Sequence, residues 1–209
     1  MSSAANPNQD LVILVDPYDQ EIGAIAKMAA HYEGKLHRAF SIFVVNHQKE
    51  ILLQKRARQK YHSGGLWTNT CCSHPRPGEP TESAAHRRLQ EEMGFDCPLI
   101  EIFSFTYYAK LDQGLIEHEY DHVFLGYFDQ APQINLEEAE DWCWRNLAEL
   151  RSDLQVHPQR YTFWLKQCFE RVANYLENPH DRTYPLWFRA AFTQPKTVFC
   201  YSSNQESGL

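Results

Sequence analysis

Three kinds of side chain recur in this sequence at spacings that could do chemistry. Cys72 and His74 stand two apart in Thr68-Asn-Thr-Cys-Cys-Ser-His-Pro75, so on an extended backbone both point to the same side. A thiol beside a cation can be held as thiolate and act as base or nucleophile. The other reading of Cys72 is a small buried hydrophobe, and that is the reading for Cys71. His31, His37, His74, Glu117 and Glu119 form a second group. Imidazoles with carboxylates suit Mn, Zn or Fe, and five such donors leave one position of an octahedral ion open. The same residues also suit a solvated surface, which is how histidines 47, 62, 86, 118, 122, 157 and 180 are read. The third group is basic: Arg56, Lys60 and Arg88, with Lys27 as a further member, can converge on an anion. A diphosphate needs several donors and a divalent ion, and Glu92 is suited to hold Mg²⁺ against phosphate oxygens. The alternative is a solvated basic stretch, the reading for Arg58. Tyr107 and Trp164 read as core aromatics unless the surroundings give them more to do.

The elements that position these residues follow from local pattern. Residues 66 to 95, LWTNTCCSHPRPGEPTESAAHRRLQEEMGF, open like a strand or tight turn, and Pro75, Pro77 and Gly78 then force a loop. Thr81 to Met93 has few breakers and reads as a helix stopped by Gly94. On it Arg87 and Glu91, and Arg88 and Glu92, are four apart and meet on one face. Upstream, strands are expected at 11 to 15, 21 to 25, 37 to 46 and 50 to 55, with a helical turn at 27 to 32 ended by Gly34. Downstream, strands are expected at 99 to 109, 116 to 128 and 139 to 144, and helices at 148 to 154 and 158 to 176. Alternation along 116 to 128 puts Glu117, Glu119 and Asp121 on one face, where they repel unless a cation or solvent compensates.

Composition narrows the field. A chain of 209 residues, 43% hydrophobic, can bury one ordinary domain core. It contains no run of about 18 apolar residues that would span a bilayer, and Met1 to Asp10 lacks the plan of a secretory signal. Six irregularly spaced cysteines are a poor disulfide framework, so a reducing cytoplasm is expected. A net charge of -7 argues against nucleic-acid binding. Residues 1 to 10 read as a disordered lead-in, 11 to 192 as one domain, and 193 to 209 as a tail without periodicity.

The stretch from Trp67 to Glu79, with Arg87-Arg-Leu-Gln-Glu-Glu-Met-Gly94, resembles the type I isopentenyl-diphosphate delta-isomerases, a branch of the Nudix superfamily. Lys27-Met-Ala-Ala-His31, Leu36-His-Arg-Ala-Phe-Ser41, Leu52 to Lys60 and Ile116-Glu-His-Glu119 extend the match in order over about residues 11 to 176. The general Nudix box has a glycine where Ser73 stands and a glutamate where Arg88 stands, while Glu79, Arg87, Glu91, Glu92 and Gly94 are kept. Exchanging an acid for a base lowers the metal-binding charge a hydrolase would use, and the isomerases resemble this altered box. Gly64 stands where proline is common in the family.

The resemblance implies an α/β (α+β) fold, a mixed sheet flanked by helices, and interconversion of isopentenyl and dimethylallyl diphosphates through a tertiary carbocation. It implies a Mn²⁺ or Zn²⁺ ion held by His31, His37, His74, Glu117 and Glu119. It also implies Mg²⁺ bridging the substrate at Glu92 with the Cys72 carbonyl, and diphosphate contacts from Lys27, Arg56, Lys60 and Arg88. Cys72 and Glu119 would exchange the protons, Tyr107 would hydrogen-bond Glu119, and Trp164 would face the cation. The expected partner is a small prenyl diphosphate, with no nucleic acid or membrane, for a monomer or weak dimer. The rivals are a Nudix hydrolase of a nucleoside or prenyl diphosphate and a non-catalytic metal-binding module.

Overall fold

The computed structural model describes residues 11–178; the lead-in at 1 to 10 and the tail at 193 to 209 lie outside the described residues. Nine strands and four helices follow in the order β1 (Leu11–Val15), β2 (Glu21–Ala26), α1 (Lys27–Glu33), β3 (His37–Val45), β4 (Ile51–Arg56), β5 (Trp67–Thr68), β6 (Cys71–Ser73), α2 (Thr81–Met93), β7 (Leu99–Lys110), β8 (Ile116–Tyr127), β9 (Ala139–Arg145), α3 (Leu147–Val156) and α4 (Phe163–Glu177). They form one mixed sheet, the α/β architecture expected from the sequence. β3 lies at its centre. It runs parallel to β8 from the pair His37–Glu119 to the pair Val45–Tyr127, and β7 returns antiparallel to β8.

Period-two alternation on β3 divides the core into two layers. Phe40, Ile42 and Val44 face α2, packing with Leu89 and Met93. Phe43 and Val45 face the other way, with Val123 and Leu125 of β8, against Leu165, Phe169 and Val172 of α4. The helix stops follow from glycine. Gly34 and Gly94 adopt left-handed φ of 62° and 74° as C-caps of α1 and α2, a conformation glycine takes without a Cβ penalty.

One expected element is divided. The pattern at residues 158 to 176 predicts a single helix, whereas Pro158–Arg160 form a 3₁₀ turn and α4 begins at Phe163. Between them Tyr161 and Thr162 are extended: Tyr161 bridges Trp67, and the Thr162 N–H donates to the Trp67 carbonyl at 3.0 Å. Docking onto β5 takes precedence over helical continuity, and it delivers α4 across the cleft described next.

Candidate active site

A cleft of about 440 Å³, counting its open mouth, lies over the start of β8, between β6, α2 and the first turn of α4. Parallel pairing puts His37 beside Glu119, and antiparallel pairing puts Tyr107 opposite Glu119. Glu117, Glu119 and Asp121 share one buried face, as alternation predicts. The Tyr107 hydroxyl lies 2.6 Å from Glu119 Oε2 and 3.0 Å from Glu117 Oε2, so one phenolic proton serves two carboxylates. Burial and the two acids raise the Tyr107 hydroxyl well above its ordinary range, which keeps that proton on the phenol.

His37, His74 and Glu119 converge. His74 Nε2 is 3.0 Å from Glu119 Oε1 and 3.2 Å from His37 Nε2, and His37 Nε2 is 3.6 Å from the same oxygen. The Lys27 and Lys35 carbonyls accept from Nδ1 of His31 and His37 at 2.7 and 2.8 Å, so Nε2 carries the free lone pair in each ring. His31 Nε2 is buried and has no hydrogen-bond partner among the described residues. An ion bound at about 2.1 Å sets neighbouring donors about 3.0 Å apart, and fixed Nδ1 atoms are the usual support of metal-binding imidazoles. The cluster fits a divalent ion on both counts. Ligand atoms of His31, His37, His74 and Glu119 lie within 4.8 Å of one another. Glu117 groups instead with His31 and His62. Burial lowers the basicity of His31 and takes His74 down to about 3, so both are neutral donors. Burial alone would raise Glu119, but the adjacent imidazoles of His37 and His74 hold it well below the usual carboxylate range.

Lys27, Arg56, Lys60 and Arg88 also line the cleft, with Glu92. Burial, then the charges of Lys60, Arg56 and Arg88, bring the Lys27 ammonium down to about 8. Cations that disfavour each other's charge in this way leave the wall in need of an anion. Arg88 bonds Glu91 at 2.7 Å, Glu92 at 2.6 Å and Glu138 at 2.9 Å, and Lys60 pairs with Glu138. Gln54 donates to the other oxygen of Glu92 at 2.9 Å. Arg58 stays 80% exposed, as expected of a solvated residue. In the loop ahead of α2, Glu79 accepts twice from Arg87, at 2.7 and 2.8 Å, and once from the Arg76 N–H.

Of the two readings of Cys72, the surroundings disfavour the thiolate: burial pushes its thiol up to about 12, and its Sγ donates to Asn69 Oδ1 at 3.3 Å while accepting from Trp164 Nε1 at 2.9 Å. It is a protonated thiol at the cleft wall. His62 is not solvated: it is 6% exposed and lines the cleft, 3.3 Å from Glu117. Sequence reasoning missed it because a histidine four residues before Leu66 sits in no recognisable ligand spacing. Tyr61, also missed, carries Lys27 Nζ 4.6 Å from its ring centroid. Trp164 lies with Arg56 5.2 Å from its ring centroid and contacts both Cys72 and His62.

A NUDIX domain model matches residues 35–166. Solved structures agree on that fold at low identity: a Deinococcus radiodurans protein at 18% has a TM-score of 0.66, covering 77% of this chain and 98% of its own. A MutT protein of Methanosarcina mazei at 17% has a TM-score of 0.56, with coverages of 70% and 96%. Among curated relatives, Isopentenyl-diphosphate Delta-isomerase 2 of Aromatoleum aromaticum is 56% identical over 79% of this chain and 88% of its own length. The protein of the same name from Photorhabdus laumondii is 56% identical, over 78% and 93%. Isopentenyl-diphosphate Delta-isomerase 1 of A. aromaticum is 55% identical, over 84% and 98%. The fold and the box on α2 thus define a Nudix protein. Within that class the chain belongs to the isopentenyl-diphosphate Delta-isomerase family, and the resemblance read from its motifs holds.

Proposed function

We propose that this cleft interconverts isopentenyl and dimethylallyl diphosphates, the reaction for which its relatives are named. The observation that carries the reading is the pairing of two proton-exchanging groups, Cys72 and Glu119, in one buried cleft with a four-cation wall. The diphosphate binds to Lys27, Arg56, Lys60 and Arg88, which orients the carbon chain toward the β8 end. Glu92, with the Cys72 carbonyl, would hold Mg²⁺ against the diphosphate, where the ion supplies countercharge. His31, His37, His74, Glu117 and Glu119 would hold a Mn²⁺ or Zn²⁺ ion that supplies positive charge beside the Glu119 carboxylate.

The chemistry adds a proton to the terminal alkene carbon, forms a tertiary cation at the next carbon, and removes a proton from the carbon beyond it. Two groups on opposite sides are needed, and each is donor in one direction of the reaction and acceptor in the other. Cys72 brings an S–H; Glu119 brings a carboxylate whose other oxygen Tyr107 bonds. Trp164, fixed by its bond to Cys72, places an aromatic face where a cation gains about 2 kcal/mol when desolvated. The buried walls keep water from capturing that cation. Arg88 argues against hydrolysis: it stands at a position where a hydrolase box has a carboxylate, and three acids bind it. We place the enzyme in the cytoplasm as a monomer or weak dimer, acting on a small prenyl diphosphate and on neither nucleic acid nor membrane.

A proton and phosphorus NMR time course in D₂O with Mg²⁺ tests this. Dimethylallyl diphosphate carrying deuterium, with its diphosphate intact, is the expected product. Phosphate release without a moved double bond would make the protein a hydrolase. No change after added Mn²⁺ or Zn²⁺ would favour a non-catalytic module.

A further inference from the structure

The five-donor set leaves His62 out, yet the structure aims it at that set. Its Nε2 lies 3.3 Å from Glu117 Oε1, and its ring centroid is 5.9 Å from that of His31. Its Nδ1 sits 3.2 Å from Ser63 Oγ. At His31 and His37 a backbone carbonyl engages Nδ1 and frees Nε2; at His62 the Ser63 hydroxyl reaches Nδ1 and can accept from it in the same way. Metal-binding imidazoles are fixed in this way.

The backbone around His62 is equally constrained. The excursion between Arg56 and Leu66 is closed by the Arg56 N–H to Leu66 carbonyl bond and the Gly65 N–H to Arg56 carbonyl bond, both 2.9 Å. Arg56 Nη2 donates to the His62 carbonyl at 3.3 Å. Ser63 takes a left-handed φ of 52°, and a Cβ added at Gly64 would stand 2.5 Å from the Arg58 carbonyl oxygen. A solvated histidine needs neither feature; a histidine turned into a buried cluster needs a turn this tight.

Two donor groups overlap at one residue. His31, His37, His74 and Glu119 form one, and His31, His62 and Glu117 form the other. His31 has a single free lone pair, at Nε2, because its Nδ1 is committed to the Lys27 carbonyl. Two ions cannot share that lone pair, so His31 serves a single ion, and the two groups become one centre when that ion draws His62 and Glu117 inward toward His37, His74 and Glu119. We propose that His62 is a sixth donor of the divalent-ion centre, giving it four imidazoles and two carboxylates. This rests on reading the His/Glu cluster as a metal centre. Six protein donors fill an octahedral ion, whereas five leave a position for water. A closed centre suits a cleft in which water would quench the cation.

The test uses the full chain, freed of metal and titrated with Mn²⁺. Affinity is read from the EPR signal of free Mn²⁺, and inner-sphere water from the relaxation of solvent protons. The expected wild-type result is tight binding with no exchangeable water on the ion. His62→Ala should bind about 10- to 100-fold more weakly, with relaxation increased by one water. His62→Gln keeps a polar side chain toward Glu117, so it should hold the metal-free Tm and still lose affinity. An exchangeable water already present on wild-type Mn²⁺, or affinity and relaxation unchanged in both variants, would overturn the sixth donor while leaving the five-donor centre intact. Failure of the wild type to bind Mn²⁺ or Zn²⁺ would instead remove the metal centre itself, and His62 with it.

Discussion

Beneath α4, one face of the β3–β8 pair changes character along its length. At one end it presents His37 and Ser41 of β3 with Glu117, Glu119 and Asp121 of β8; at the other it presents Phe43 and Val45 with Val123 and Leu125. Both ends are buried, on the same pleat, under the same helix. The apolar end satisfies every atom by packing and drives folding in proportion to the area removed from water. The polar end must satisfy atoms one bond at a time, and among the described residues Asp121 Oδ1 on it, and His31 Nε2 of α1 beside it, remain without a hydrogen-bond partner. Burial, then Glu119, raises the Asp121 carboxyl well above its ordinary range, while Ser41 Oγ donates to its other oxygen at 2.8 Å. Buried polar groups weaken folding unless fully paired. One half of the strand pair therefore stabilises the sheet, and that stability holds the other half in a geometry fit for chemistry.

The largest expected effect breaks the polar half alone. Glu119→Gln and Cys72→Ala each remove one proton-exchanging group, a loss of about 10²- to 10⁴-fold in turnover for positioned acid–base groups. Diphosphate affinity should survive, because the four cations lining the cleft are untouched. The metal-free Tm should fall in Glu119→Gln, because the native state favours the ionised carboxylate that the neighbouring imidazoles stabilise. Kinetics alongside calorimetry check this. Turnover unchanged in both variants would show that neither residue moves the protons.

Phe43→Ala breaks the apolar half. Phe43 is fully buried between Leu125 and the face of α4, and truncating a core phenylalanine costs about 3–5 kcal/mol. Urea unfolding should register that loss, while turnover per folded molecule stays near wild type. A fall in turnover as large as that of Glu119→Gln would mean that the two halves are not separable, and that packing at Phe43 sets the position of Glu119.

Most of this division is legible in the sequence, for a physical reason. Residues 116 to 128 alternate strictly until His122 and then become apolar, so the change from Glu117, Glu119 and Asp121 to Val123 and Leu125 can be read directly. Arg88 and Glu92 are four apart on a helix without breakers, and their contact follows. The misses are tertiary. Nothing in the run from Lys60 to Gly65 shows that His62 turns inward, because its burial depends on the closure of Arg56 onto Leu66. The division of residues 158 to 176 depends on Tyr161 and Thr162 pairing with Trp67, almost a hundred positions earlier. The thiol of Cys72 stays protonated because α4 covers it with Trp164, which local sequence cannot report.

The smallest expected effect lies where the cation wall meets solvent. Burial would raise the Glu138 carboxyl, but Arg88 and Lys60 outweigh it and bring it down to about 2, against an ordinary 4.5. With the folded value below the unfolded one, the unfolded chain binds more protons between these limits, so stability rises with pH across that window. The contribution is complete above about 4.5 and is lost as pH falls toward 2. Because the group is partly exposed, solvent screens it, and partly exposed ion pairs contribute at most about 1 kcal/mol. Urea midpoints for wild type and Glu138→Gln should therefore differ slightly at pH 6 and converge as pH falls below 4.5. Above neutral pH the same variant frees Arg88 and Lys60 from a competing carboxylate, so diphosphate should bind somewhat more tightly. A gap that persisted unchanged to low pH would mean that Glu138 acts through packing, and that the wall is held by shape instead of charge.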